Sequence, residues 1–99
     1  MKKFDTRDMA HGGLSLVLEP QASWEEFRHY AQHWASVLGA EKLSEAIVTV
    51  DECLLEVQIR GGRFWITYDD FQSSIQLEPQ HKEHSGIVLE LQAELRSST

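Results

Sequence analysis

Apolar residues recur along this chain with two different periods, and the change from one to the other marks out its elements. In LSLVLEP, residues 14–20, Leu14, Leu16 and Leu18 alternate with Ser15, Val17 and Glu19, and Pro20 follows. A two-residue period of this kind predicts a strand with one buried face, and the proline stops it. In SWEEFRHYAQHWASVLG, residues 23–39, the apolar positions Trp24, Phe27, Ala31, Trp34 and Leu38 come at three- and four-residue steps. That stripe predicts an amphipathic helix. Ser23 with Glu26 makes a capping box at its start, and Gly39 suits the left-handed residue at its end.

Residues 40–52 carry both signals: KLSEA suits a helix, whereas the β-branched AIVTV is read as a short strand. The next stretch, CLLEVQIRGGRFWITYDDF, predicts a hairpin about Gly61 and Gly62, because two-residue turns need positive φ. In that register Ile59 faces Phe64, Val57 faces Ile66 and Leu55 faces Tyr68, all on one side. The other side pairs Arg60 with Arg63, Gln58 with Trp65 and Glu56 with Thr67. After a turn at DDFQS, SIQLEP adds a strand with Ile75 and Leu77 inward. In SGIVLELQAELRSST the apolar odd positions 87–95 suit a strand, but the Leu, Glu, Gln and Ala content favours a helix, with Val88, Leu91 and Leu95 on one stripe.

The expected architecture is α+β and two-layered: an antiparallel sheet of about four strands in the order β-α-(β)-β-β-β-α, with helices on one face. Residues 1–13 mix charges with a glycine pair and show no period, so a flexible tail is expected before a single domain at 14–99. A length of 99 residues supports one core.

Charge narrows the functional classes. Sixteen acidic against nine basic side chains leave a net charge of −7, which repels nucleic-acid phosphates and anionic lipid and favours basic partners. A lone Cys53 excludes an internal disulfide and fits a reducing compartment, where the thiol packs rather than reacts. The two lysines at the start precede no apolar run of the kind a secretory signal needs, and a cytoplasmic location is expected.

The stretch RGGRFWITYDDF invites comparison with a nucleic-acid stacking platform. Arg60, Gly61 and Phe64 fit an RNA-recognition strand, but Gly62, Arg63, Trp65 and Thr67 do not. The pleat also sends Phe64 and Tyr68 to the core, leaving Trp65 between Glu56 and Glu78 on the open face. The plainer explanation of a large ring on a polar face is cover by the N-terminal tail or a loop; the functional one is an anchor for a partner protein, with Gln58, Thr67, Glu56 and Gln76 around it. Asp51, Glu52, Asp69 and Asp70 gather at the open end of the hairpin, where a basic peptide or a cation fits; turn-forming aspartates are the plainer explanation. Glu25, His29 and His33 lie one helical turn apart and match a divalent-metal line, although they point away from the apolar stripe. His81 and His84 flank Glu83 on a loop with the same weak geometry. No nucleophile–base order or phosphate-binding glycine loop is present, so the chain reads as non-enzymatic, without cofactor.

The hairpin and third strand, CLLEVQIRGGRFWITYDDFQSSIQLEP, with the helix SWEEFRHYAQHWASVLGA, resemble a family of small single-domain gammaproteobacterial proteins of unknown function. The resemblance covers about two thirds of the chain and implies a fold, with no catalytic residues to carry over. The leading expectation is a protein–protein interaction module, a monomer or weak homodimer, that binds neither nucleic acid nor membrane. The alternatives are a metal-binding protein or metal-dependent hydrolase using Glu25, His29 and His33, and an acidic neutraliser of a basic partner.

Overall fold

The computed structural model describes residues 3–98; residues 1 and 2 of the expected tail, and residue 99, lie outside the described residues. The chain runs β1 (Thr6–Asp8), β2 (Leu14–Glu19), α1 (Phe27–Val37), β3 (Glu41–Lys42), β4 (Ile47–Val48), β5 (Cys53–Ile59), β6 (Gly62–Asp69), β7 (Ser74–Pro79) and α2 (Ser85–Ser97). A single 3-10 turn, Trp24–Glu26, leads into α1, and another, Lys82–His84, leads into α2. The strands make one antiparallel sheet in the order β1-β2-β7-β6-β5-β3, with β4 also on β5.

The α+β class holds, but the sheet has seven strands rather than about four. β4 (Ile47–Val48) falls in AIVTV, read as a short strand; the additional ones, Thr6–Asp8 and Glu41–Lys42, are three and two residues long, too short to display alternation. Their ladders to β2 and β5 define them, and a partner strand is invisible in local sequence.

One face of the sheet carries both helices. Leu16, Leu18, Leu55, Val57, Ile59, Phe64, Ile66, Ile75 and Leu77 meet Phe27, Ala31 and Trp34 of α1 and Val88 and Leu91 of α2 in one buried cluster. Phe27 and Phe64 are fully buried, each contributing roughly 1.5–3 kcal/mol of transfer free energy. The α1 stripe is as patterned except at its start, where Trp24 stands 44% exposed on the 3-10 turn. Glu26 Oε1 accepts the Ser23 N–H at 2.9 Å and the Ser23 hydroxyl at 3.2 Å, and Gly39 ends the helix at φ 64°.

Residues 3–13 are docked, not a loose tail. β1 pairs Thr6 with Leu16 and Asp8 with Leu14, Gln92 Nε2 donates to Phe4 O at 2.8 Å, and Arg96 Nε donates to Lys3 O at 2.9 Å. The Phe4 ring meets the Trp34 ring edge-on at 5.7 Å. These contacts come from α1, β2 and α2, so no period within the segment itself announces them.

The hairpin register differs from the expected one by two residues. Ile59 pairs with Gly62, Val57 with Phe64, Leu55 with Ile66, Glu56 with Trp65 and Gln58 with Arg63. The turn is Arg60–Gly61, with φ of 51° and 81°, so a non-glycine residue takes one of the two left-handed positions. Gly62 is kept for another purpose. A Cβ there would lie 3.0 Å from His84 Cγ, 3.1 Å from Ile87 Cδ1 and 3.1 Å from Phe64 Cε1. The start of α2 therefore presses on the first residue of β6, and only glycine fits without displacement. Because the slip is even, every side chain keeps its expected face.

Candidate functional site

The open face of the sheet collects the residues expected to surround Trp65. Glu56 and Gln58 of β5, Trp65 and Thr67 of β6, and Gln76 of β7 all point away from the helices, with Trp65 registered between Glu56 and Glu78. The expected pairs Gln58–Trp65 and Glu56–Thr67 are not formed; Gln58 faces Arg63, and Thr67 faces Leu54 and Gln76.

These polar groups are occupied with one another. Thr67 Oγ1 donates to Glu78 Oε2 at 2.8 Å, and Gln80 Nε2 donates to Glu56 Oε2 at 2.7 Å. Gln76 is buried and its amide donates to Asp69 Oδ2 at 3.3 Å and Ser74 Oγ at 3.1 Å. Trp65 is half-buried within this layer, so much of its ring is already withdrawn from water.

Of the two arginines of RGGR, Arg60 is taken up by α2, and Arg63 stays exposed near Glu56. Arg60 Nη1 contacts Glu90 Oε1 at 2.9 Å, and Nη2 contacts Glu94 Oε1 at 2.6 Å and Oε2 at 2.8 Å. This fork ties the hairpin turn to α2. The hydrogen bonds to Arg60 hold the Glu94 carboxyl below its usual value and raise the guanidinium. Arg63 Nη1 lies 3.8 Å from Glu56 Oε2.

The acidic end divides into one structural carboxylate and three free ones. Asp69 is half-buried, and its Oδ1 accepts the Phe71 N–H at 2.9 Å and the Gln72 N–H at 3.4 Å, forming the β6–β7 turn. Asp51, Glu52 and Asp70 are exposed, and none of them forms an ion pair among the described residues. Trp24, Val50, Asp51, Glu52, Tyr68 and Asp70 line one shallow depression there. Two apolar tips rise beside it: Phe71, 99% exposed, and Val50, 79% exposed. Sequence reading missed both. The available signal was an aromatic inside DDFQS, a turn otherwise built of polar residues.

Cys53 sits under this end, its thiol donating to Thr49 O at 3.7 Å. Burial, with the nearby Asp70 and Glu52 carboxylates, raises its pKa. Glu25 is exposed on the 3-10 turn before α1, and His29 and His33 are exposed on α1, where His29 edges Tyr30 and His33 edges Trp34. Among the described residues no three His, Cys, Asp or Glu side chains converge into a group able to hold a metal ion, so this line gains no further ligand from the fold.

What the fold and these surfaces define is a two-layer α+β domain, a seven-stranded antiparallel sheet with two helices on one face. The chain belongs to the family described as protein of unknown function DUF3630, whose match runs over residues 4–97 and so takes in the N-terminal strand as well. No curated protein and no solved structure matches it significantly. Among the described residues no helix is long and apolar enough to cross a membrane.

Proposed function

We propose that this protein is a non-catalytic interaction module that docks on a basic partner protein through the end of the sheet bearing Phe71. The observation that carries the reading is the 99% exposure of Phe71, at the tip of a turn that Asp69 holds in shape. A fully hydrated phenyl ring gains upward of about 1.5 kcal/mol when a partner pocket covers it. Val50 and Trp24 extend the apolar surface, and Asp51, Glu52 and Asp70 supply uncompensated negative charge around it. The complementary surface is an apolar pocket rimmed by lysine or arginine. Such charge raises the association rate and orients the encounter, while the rings hold the complex.

Trp65 acts in this reading as a secondary contact, because its flanking carboxylates already have partners. Nucleic acid is disfavoured by the net charge of −7 and by the capture of Arg60. The buried, reduced Cys53 supports action in a reducing compartment such as the cytoplasm.

The test is a titration of the partner, captured from the native cell and then purified, against the unmodified protein, Phe71→Ala, Trp65→Ala and Asp51→Asn/Asp70→Asn. Phe71→Ala should weaken binding about tenfold or more, with a much smaller effect of Trp65→Ala. The doubly neutralised variant should bind more slowly and lose its salt dependence. Equal affinity of Phe71→Ala and the unmodified protein would overturn the proposal. Should that equality come with affinity that falls steeply in salt, the chain is instead an acidic neutraliser of a basic partner.

A further inference from the structure

A second site lies at the β1 edge and shares no residue with the Phe71 end. Lys3, Phe4, Asp5 and Arg7 on one side, and Val17, Leu18, Glu19, Pro20 and Trp34 on the other, enclose a cleft of about 590 Å³. Small-molecule sites commonly span about 300–1,000 Å³, with apolar walls and a few polar groups. Here the walls are Phe4, Val17, Leu18, Pro20 and Trp34.

The Phe4 wall is held in an unusual way. Its φ is 62°, a left-handed conformation that a bulky side chain keeps only when its surroundings fix it. The fixing groups are on α2, where Gln92 Nε2 donates to Phe4 O and Arg96 Nε donates to the preceding carbonyl, Lys3 O. The backbone is thus bent so that the ring packs edge-on against Trp34, the pair forming one wall of the cleft.

The charged groups of the cleft are unequally satisfied. Glu19 Oε2 accepts the Trp34 indole N–H at 2.8 Å, and Asp5 Oδ1 lies 3.3 Å from Arg96 Nη2. Arg7 Nη1, by contrast, is closed off from water and has no acceptor among the described residues. A guanidinium N–H without an acceptor is costly, and an anion in the cleft removes that cost. The anion must be small in charge, because Asp5 and Glu19 stand on the same walls and repel a dianion. A carboxylate matches the planar fork of an arginine.

We propose that this cleft binds an amphipathic monocarboxylate, its apolar body against Pro20 and the exposed edges of the Phe4–Trp34 pair and its carboxylate on Arg7. A rotation about the terminal bonds of the Arg7 side chain turns Nη1 towards the cleft when the ligand arrives.

Octanoate and 3-phenylpropanoate, each beside its neutral amide, are the probes, followed by ¹H–¹⁵N spectra of the whole chain. The carboxylates should shift the backbone signals of Phe4, Val17 and Leu18 and the Trp34 indole N–H, and should saturate. Each amide should bind about tenfold more weakly, and Arg7→Gln should cost the carboxylate, but not the amide, a similar factor. Equal binding of acid and amide to the unmodified protein overturns the proposal, whether or not Arg7→Gln folds. So does saturation that shifts residues elsewhere, or the absence of saturable binding. The Phe71→Ala variant should bind the carboxylates unchanged, so either site can fail without the other.

Discussion

Arg60 Nη2 stands 2.6 Å from Glu94 Oε1 and 2.8 Å from Glu94 Oε2, so the tip of the central hairpin is held by the last turns of the C-terminal helix. The same guanidinium reaches Glu90, one turn earlier. Arg60 has positive φ, a conformation that costs a non-glycine residue, and this double grip from α2 offsets the strain.

Removing the grip should give a pH signature. Because Arg60 depresses the Glu94 carboxyl, its contribution is fully present above the unfolded glutamate value of about 4.3. It disappears as pH falls through the lower folded value. Glu94→Gln should therefore melt below the unmodified protein at neutral pH, and the gap should close in acid. Thermal melts of both proteins across that range check this, and a gap that persists in acid would refute the electrostatic account.

Glycine at 62 is a packing requirement, whereas at 61 it is a conformational one. Gly62→Ala drives a methyl group against His84, Ile87 and Phe64 and should destabilise by about 1–3 kcal/mol in urea unfolding. Gly61→Ala meets no atom but must hold φ near 81°, and should cost about 1–2 kcal/mol. A neutral Gly62→Ala would mean that the side chains of α2 yield freely.

Two phenylalanines seven residues apart in sequence should respond in opposite ways. Phe64→Ala empties a fully buried site and should cost about 3–5 kcal/mol. Phe71→Ala removes a hydrated ring and should change stability by no more than about 0.5 kcal/mol. Denaturant midpoints of the two variants decide this, and a large loss at Phe71 would contradict its free exposure.

The Cys53 thiol, buried and pushed up by burial and by Asp70 and Glu52, should resist alkylation at neutral pH. Labelling in urea should follow the unfolding transition. Rapid labelling of the native protein would show that the Thr49–Cys53 turn opens readily.

Where the chain buried one face of a long element, its pattern was legible. Helix α1 followed from the Phe27–Ala31–Trp34 stripe and the Ser23–Glu26 pair, and β5 to β7 from their alternation. The hairpin faces were right although the register was not, since an even slip preserves them. What places Gly62 inside the strand is not local either: its missing side chain leaves room for His84 and Ile87, more than twenty positions along the chain. β1 was missed for another reason: its three residues, paired with nearby Leu14, Ser15 and Leu16, are too few to show alternation. At the candidate site, Asp51, Glu52, Asp69 and Asp70 were legible as one acidic end. Phe71 was not, because its meaning rests on the absence of anything packed against it. The Phe4–Trp34 cleft required a long-range docking that no local pattern encodes.

The bond from Arg96 to the Lys3 carbonyl carries a practical consequence for handling the molecule. Lys3 and Arg96 meet at one corner of the fold, where Arg96 also reaches Asp5 of the cleft wall. The first and last elements of the described domain are thus fastened to each other, so a cut in the exposed β6–β7 turn should leave the corner at Lys3 and Arg96 closed.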